Sequence, residues 1–192
     1  FNAIVGKTRP GDLGVDAITA MAPVLRNVDA LAASLAAGPK DELLGAGSVH
    51  ASLISGGREI STYPDSCRLQ VERRTVPGED SATLERECAF LVEGAKDAEA
   101  EVTFVRNPWR EDPRAEIAAA LRRAASRGLG AEAGTTTMTG WLDIALLADA
   151  GIPCVVFGTG GGGFHAQDEW ADIATLDPVA AVYTELVREW CG

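Results

Sequence analysis

An α+β unit followed by part of an α/β domain is the architecture this sequence predicts, and three observations predict it. Apolar periodicity over residues 1–106 runs strand, helix, strand, strand, helix, strand, the split βαβ or ferredoxin-like βαββαβ order. Residues 107–113 then hold two prolines and mixed charge with no apolar period, which reads as a linker. Beyond it, residues 114–192 show three helical patterns around about two short strands, one of them wholly apolar and ending in five glycines within six residues.

The elements follow in order. Phe1 to Gly6 is a short strand. Val15 to Ala37 is helical, with Ile18, Ala22, Leu25, Val28, Ala32 and Leu35 on one stripe, and Pro23 bends or restarts it. Val49, Ala51 and Leu53 alternate with His50, Ser52 and Ile54 up to the turn signal Gly56-Gly57, and Cys67, Leu69 and Val71 alternate with Arg68, Gln70, Glu72 and Arg74, so Val49, Leu53, Leu69 and Val71 are expected to face the helices. Asp80 or Ser81 opens a second helix running to about Lys96, with Leu84, Cys88 and Leu91 inward, and Val102–Phe104 makes the last strand. In the second piece, Ala115–Gly128 is a helix with Ile117, Leu121 and Ala124 inward, and Thr135–Met138 a short strand. A helix from Trp141, with Ile144, Leu147 and Ala148 inward, stops at Gly151; Pro153–Phe157 is a buried strand; Pro178–Trp190 closes the chain as a helix. So few parallel strands do not make a stable sheet alone, so this piece reads as part of a larger domain.

The composition, 46% apolar and 23% charged, is that of an ordinary globular protein. A net charge of −11 argues against nucleic-acid and anionic-membrane partners, and no apolar run is long enough to span a bilayer. The four cysteines are far apart with no CxxC pair, and no basic-then-apolar leader opens the chain, so the expected compartment is cytoplasmic.

The chemistry concentrates at Gly158–Glu169. Glycines at a strand's carboxyl end let backbone approach a ligand or metal closely, and here they deliver His165, with Asp168 and Glu169 behind it. A lone loop histidine is more often a surface or hydrogen-bonded residue than a ligand, so local sequence leaves both readings open. Phosphate binding is the weaker option, because no Lys-Ser/Thr follows the glycines.

This segment closely resembles the C-terminal signature of the zinc aminoacylase, carboxypeptidase G and acetylornithine deacetylase family (ArgE/DapE-like). The matching residues are Trp141-Leu142-Asp143, Ala150-Gly151-Ile152-Pro153, Gly158-Thr159-Gly160 and His165 to Trp170. It departs in Thr159, where the family has Pro, and in an extra glycine before His165. The resemblance implies that His165 binds a metal, zinc in a two-ion site with cobalt as an alternative. It implies further that Gly158, Gly160 and Gly161 line the substrate's acyl pocket, while Asp143 and Glu169 support the loop from behind. Gly11–Ile18 and Ser52–Glu79 are similar to the dimerisation (lid) domain of the same hydrolases, which implies a homodimer.

In that likeness Arg74 matches the arginine that grips the substrate carboxylate, a task suited to a guanidinium's two parallel donors. By pattern alone it is a solvated arginine paired with Glu72 or Glu79. Ser61 stands where relatives have a substrate-contacting Asn, and His50 shares the face of Arg74. The lid histidine of the family, within a Gly-x-x-Ala-His, is absent from Gly6–Pro10, and no His-x-Asp occurs anywhere. A catalytic zinc needs about three protein ligands. The expectation is therefore a fragment of a metal-dependent amidohydrolase (metallopeptidase or deacetylase) acting on N-acyl amino acids or small peptides. It lacks the general base and is inactive alone; the alternative is a catalytically dead dimerisation or binding module.

Overall fold

The computed structural model describes the backbone of residues 2–4 and all of residues 15–192, and the chain divides into two compact units, Phe1–Pro108 and Trp109–Gly192. The Gly6–Pro10 loop lies outside the described residues.

In the first unit, β1 (Asn2–Ile4), β2 (Ser48–Gly56) and β3 (Cys67–Arg74) form a sheet in the order β1-β3-β2, each neighbouring pair antiparallel. β3 therefore lies between two strands joined through helices, a split βαβ. The helices are α1 (Ala17–Ala20), α2 (Ala22–Ala37) and α3 (Ser81–Leu91). The Asp16 carboxylate caps α1 through the N–H groups of Ile18 and Thr19, and Pro23 restarts the helix in the first turn of α2, where a missing N–H costs nothing. The buried stripe is Ala17, Met21, Val24, Val28 and Leu31. It is rotated by about one residue from the expected one, leaving Ile18 and Leu25 exposed, because apolar residues occupy both candidate faces. This stripe packs on Val49, Cys67, Leu69 and Val71. Burial, with the Asp16 charge adding to it, pushes the Cys67 thiol up.

Three expectations for this unit fail. Leu53 does not face the helices: it is 65% exposed, because a register shift between Ala51 and Leu53 inserts one residue and puts Leu53 opposite Gln70 on the open face. No strand forms at Val102–Phe104 among the described residues. And α3 stops at Leu91 rather than near Lys96, where the Asn27 amide donates to the carbonyls of Phe90, Leu91 and Glu93 and closes the helix end from outside.

The second unit packs α4 (Glu116–Leu129) on α6 (Leu176–Cys191) through Leu121, Ala124, Ala125 and Val182. Between them lie α5 (Ile144–Asp149) and the two-residue strands β4 (Gly161–Gly162) and β5 (Trp170–Ala171). α5 ends as expected at Gly151: at φ +76° its N–H reaches the Ala148 carbonyl while Ile152 N–H reaches that of Leu147, a Schellman stop. Its inward residue is Ala145, and Leu147 is exposed. The expected strands at Thr135–Met138 and Pro153–Phe157 are absent. Over 153–157 two backbone groups are met by side chains and none by a ladder. Glu111 accepts from Cys154 N–H at 2.9 Å, and the Tyr183 hydroxyl donates to the Phe157 carbonyl while its ring meets Phe157 edge-on. Val155 and Phe157 pack against the α4–α6 cluster, and Val156 is exposed.

Candidate functional site

β4 and β5 form a hairpin whose seven-residue loop, 163–169, carries His165 at its tip. The hairpin closes because Gly161 has no side chain: a Cβ there would lie 2.4 Å from the Trp170 carbonyl oxygen. Ala166 N–H bonds to the Gly163 carbonyl at 2.8 Å, and the third residue of that turn, His165, sits at φ +61°. Left-handed backbone costs a non-glycine residue roughly 1–2 kcal/mol, and such strain collects at functional sites. The Glu169 carboxylate accepts from the His165 backbone N–H at 3.3 Å, bracing the strained residue from behind. The imidazole itself is exposed.

The glycines divide. Gly160 donates to Thr175 Oγ1 at 3.0 Å and accepts from Asp172 N–H at 2.7 Å, so both its backbone groups are spent within the protein. Gly161 pairs with Ala171. Gly158 has open space where a side chain would be. Asp143 does not cap: its backbone is already helical, and its carboxylate makes no hydrogen bond to the first turn of α5.

In the first unit, Arg74 lies on the open face of β3, its guanidinium Nε donating to Glu72 Oε1 at 2.6 Å. The other Glu72 oxygen faces His50 Nε2 across the strands at 3.7 Å. Ser61 is exposed in the loop joining β2 to β3, beyond Cys67, whereas Arg74 ends the strand. Seven strand steps separate Cys67 from Arg74, roughly 20 Å, so one chain does not bring Ser61 and Arg74 onto the same carboxylate.

The sequence reading missed Arg73. It occupies the core phase of β3 with Cys67, Leu69 and Val71, and is 6% exposed. Its guanidinium meets Glu87 at 2.8 and 2.9 Å, Glu79 at 2.5 and 3.3 Å, and the Arg74 carbonyl at 2.5 Å. Burial pulls its pKa down, but hydrogen bonds to and charges of Glu87 and Glu79 outweigh it and hold it up. A charged residue on an apolar phase followed by an acidic turn was the available signal.

Among the described residues no three or more His, Cys, Asp or Glu side chains come together to hold a metal ion. An imidazole donor suits zinc, but one ligand does not make a zinc site, so no step through a metal follows from this geometry.

The chain thus holds, in separate units, a strained, braced histidine at the tip of a glycine hairpin and a split βαβ, the two parts that the resemblance implied. The comparisons agree: residues 4–189 match the peptidase family M20/M25/M40, and the chain belongs to that family. It is 27% identical over 150 residues to the acetylornithine deacetylase of Myxococcus xanthus, covering 76% of this chain and 38% of that one. Aminopeptidase PepT from Bacillus cereus superposes with a TM-score of 0.66 at 20% identity, over 99% of this chain and 50% of that one. The Bacillus subtilis YXEP protein, described as a dinuclear metal-binding peptidase, superposes at 0.59 with 20% identity, over 96% of this chain and 47% of that one. The chain thus spans about half the length of the solved relatives, and less of the deacetylase.

Proposed function

We propose that this chain is the lid and the C-terminal part of the catalytic domain of a cytoplasmic, metal-dependent amidohydrolase. Its substrates are N-acyl amino acids, in the manner of the acetylornithine deacetylase it resembles, or small peptides. The observation that carries the reading is His165, exposed at φ +61° with its backbone N–H held by Glu169. It serves as one ligand of a two-ion site, zinc by preference; Glu169 and the Gly158 segment shape the loop around it. Arg74 takes the free carboxylate of the substrate. The remaining ligands and the general base come from outside the described residues.

The first unit is read as a ferredoxin-like lid that pairs with a second copy through β2, the longer edge strand of its sheet among the described residues. Sedimentation of that unit at tens of micromolar tests this; a monomer refutes it. The exposed Leu146, Leu147, Ile152 and Val156 are read as surface that the rest of the catalytic domain covers.

The function is tested in two arms. The 192-residue chain, given zinc or cobalt, is expected not to hydrolyse acetylornithine. Joined to the N-terminal half of the Myxococcus xanthus deacetylase, it is expected to gain turnover that His165→Ala abolishes. Turnover indifferent to His165 overturns the assignment. One other reading, a catalytically dead dimerisation or binding module, fits equally the lack of a ligand cluster among the described residues. That reading predicts no bound metal in either arm.

A further inference from the structure

Glu72 sits between two nitrogen groups on the open face of the sheet, one carboxylate oxygen toward His50 Nε2 at 3.7 Å and the other on Arg74 Nε at 2.6 Å. The Glu72 side chain is 19% exposed, against 57% for Arg74 and 54% for His50. The least exposed member is thus the middle one.

Only Nε of the Arg74 guanidinium is engaged. The two terminal nitrogens, the pair that matches a carboxylate end-on with parallel N–H bonds, have no partner among the described residues, and the side chain is 57% exposed. Arg74 is also fixed from behind: Arg73 donates to its carbonyl at 2.5 Å, and Glu79, bound to Arg73, accepts from Val76 N–H at 2.7 Å just beyond it. An arginine on an open sheet face otherwise swings through many rotamers, all of which a bidentate contact must freeze.

The geometry points to Glu72 as the positioning residue of the carboxylate site: it sets the plane of the Arg74 guanidinium through Nε and leaves the end-on pair for a ligand. This rests on the reading of Arg74 as the carboxylate grip and adds the device that orients it. A mere surface ion pair makes the opposite prediction. If Glu72 only neutralised Arg74, removing its charge would strengthen the binding of any anion. If it positions Arg74, removing it weakens planar carboxylates and spares or strengthens a spherical anion.

The test uses the 192-residue chain labelled with nitrogen-15 at arginine, following the Arg74 Nε–H signal by NMR, assigned by its loss in Arg74→Lys. N-acetylglycine, its neutral amide and chloride are titrated into the native chain, Glu72→Gln and Glu72→Asp. N-acetylglycine but not the amide should shift the signal. Glu72→Gln should weaken N-acetylglycine at least about threefold while chloride binding holds or tightens, and its Nε–H should lose protection from solvent exchange. Glu72→Asp, which keeps the charge, should restore part of the preference and serves as the readout if Glu72→Gln does not fold. Equal or tighter N-acetylglycine binding in Glu72→Gln, or an Asp variant no better than Gln, overturns the positioning role. A native chain in which N-acetylglycine leaves Arg74 unmoved instead overturns the carboxylate grip itself.

Discussion

Replacing Arg73 with Met removes the cation that holds Glu79 and Glu87 together. The substitution keeps an unbranched apolar stem but removes five hydrogen bonds, four to carboxylates and one to the Arg74 carbonyl. It strands Glu79 and Glu87, whose side chains are only 22% and 15% exposed, as neighbouring like charges with no cation between them. Breaking a buried ion pair from one side costs about 3–5 kcal/mol, and the crowding of two acids places this case toward the upper end. Neutralising both acids as well, in Arg73→Met with Glu79→Gln and Glu87→Gln, removes the stranded charges and should recover more than half of the loss. All four tryptophans, from Trp109 onward, lie in the second unit, so their fluorescence does not report on this change. The assay is therefore hydrogen exchange of β3 amides with urea unfolding followed by circular dichroism, reading the midpoint at constant slope. A single variant within about 1 kcal/mol of the native chain, or a triple variant less stable than the single, refutes the reasoning.

Further outcomes follow from the same geometry. Leu69 is 0% exposed, and Leu69→Ala should cost about 2–5 kcal/mol in urea unfolding. His165→Gly should relieve left-handed backbone and stabilise the second unit by up to about 1 kcal/mol in tryptophan-monitored unfolding, while removing the imidazole. The Thr83 hydroxyl and backbone N–H hold the Asp80 carboxyl below its ordinary value of 3.8. With the folded value depressed, the cap's contribution is complete above the unfolded value and is lost as pH falls through the folded one. Asp80→Asn, which caps without titrating, should flatten that acid-side loss in midpoints measured below about pH 4; an unchanged profile rules the cap out as its source.

The legible part of this molecule was local. The helix start at Asp80, the restart at Pro23 and the stop at Gly151 each depend on one residue's own chemistry and stand where the sequence put them, while the first helix, expected from Val15, starts two residues later behind its Asp16 cap. What failed depended on neighbours. Cys154–Phe157 carries the composition of a buried strand, yet a strand needs partners for its backbone, and Glu111 and Tyr183 answer those groups here. Leu53 was misplaced because a one-residue register shift leaves no mark in an alternating pattern. At the candidate site the sequence located His165 and Glu169, but not the left-handed turn that joins them, since only glycine announces such backbone by its identity. Arg74 was read as paired with Glu72 or Glu79; it takes Glu72 while Glu79 goes to Arg73, and that the carboxylate takes only Nε is a fact of rotamers.

The extra residue in β2 has a consequence for the cell's housekeeping. Nine residues of edge strand, carrying Leu53 and Ile54 exposed, are the kind of surface on which foreign chains nucleate fibrils. A fibril grows by adding strands with an unbroken rhythm, and the irregularity between Ala51 and Leu53 interrupts that rhythm midway. Deleting Ser52 would smooth the edge into an uninterrupted template. The residue that spoiled the reading of the strand is the one that would limit such growth wherever no second copy covers this edge.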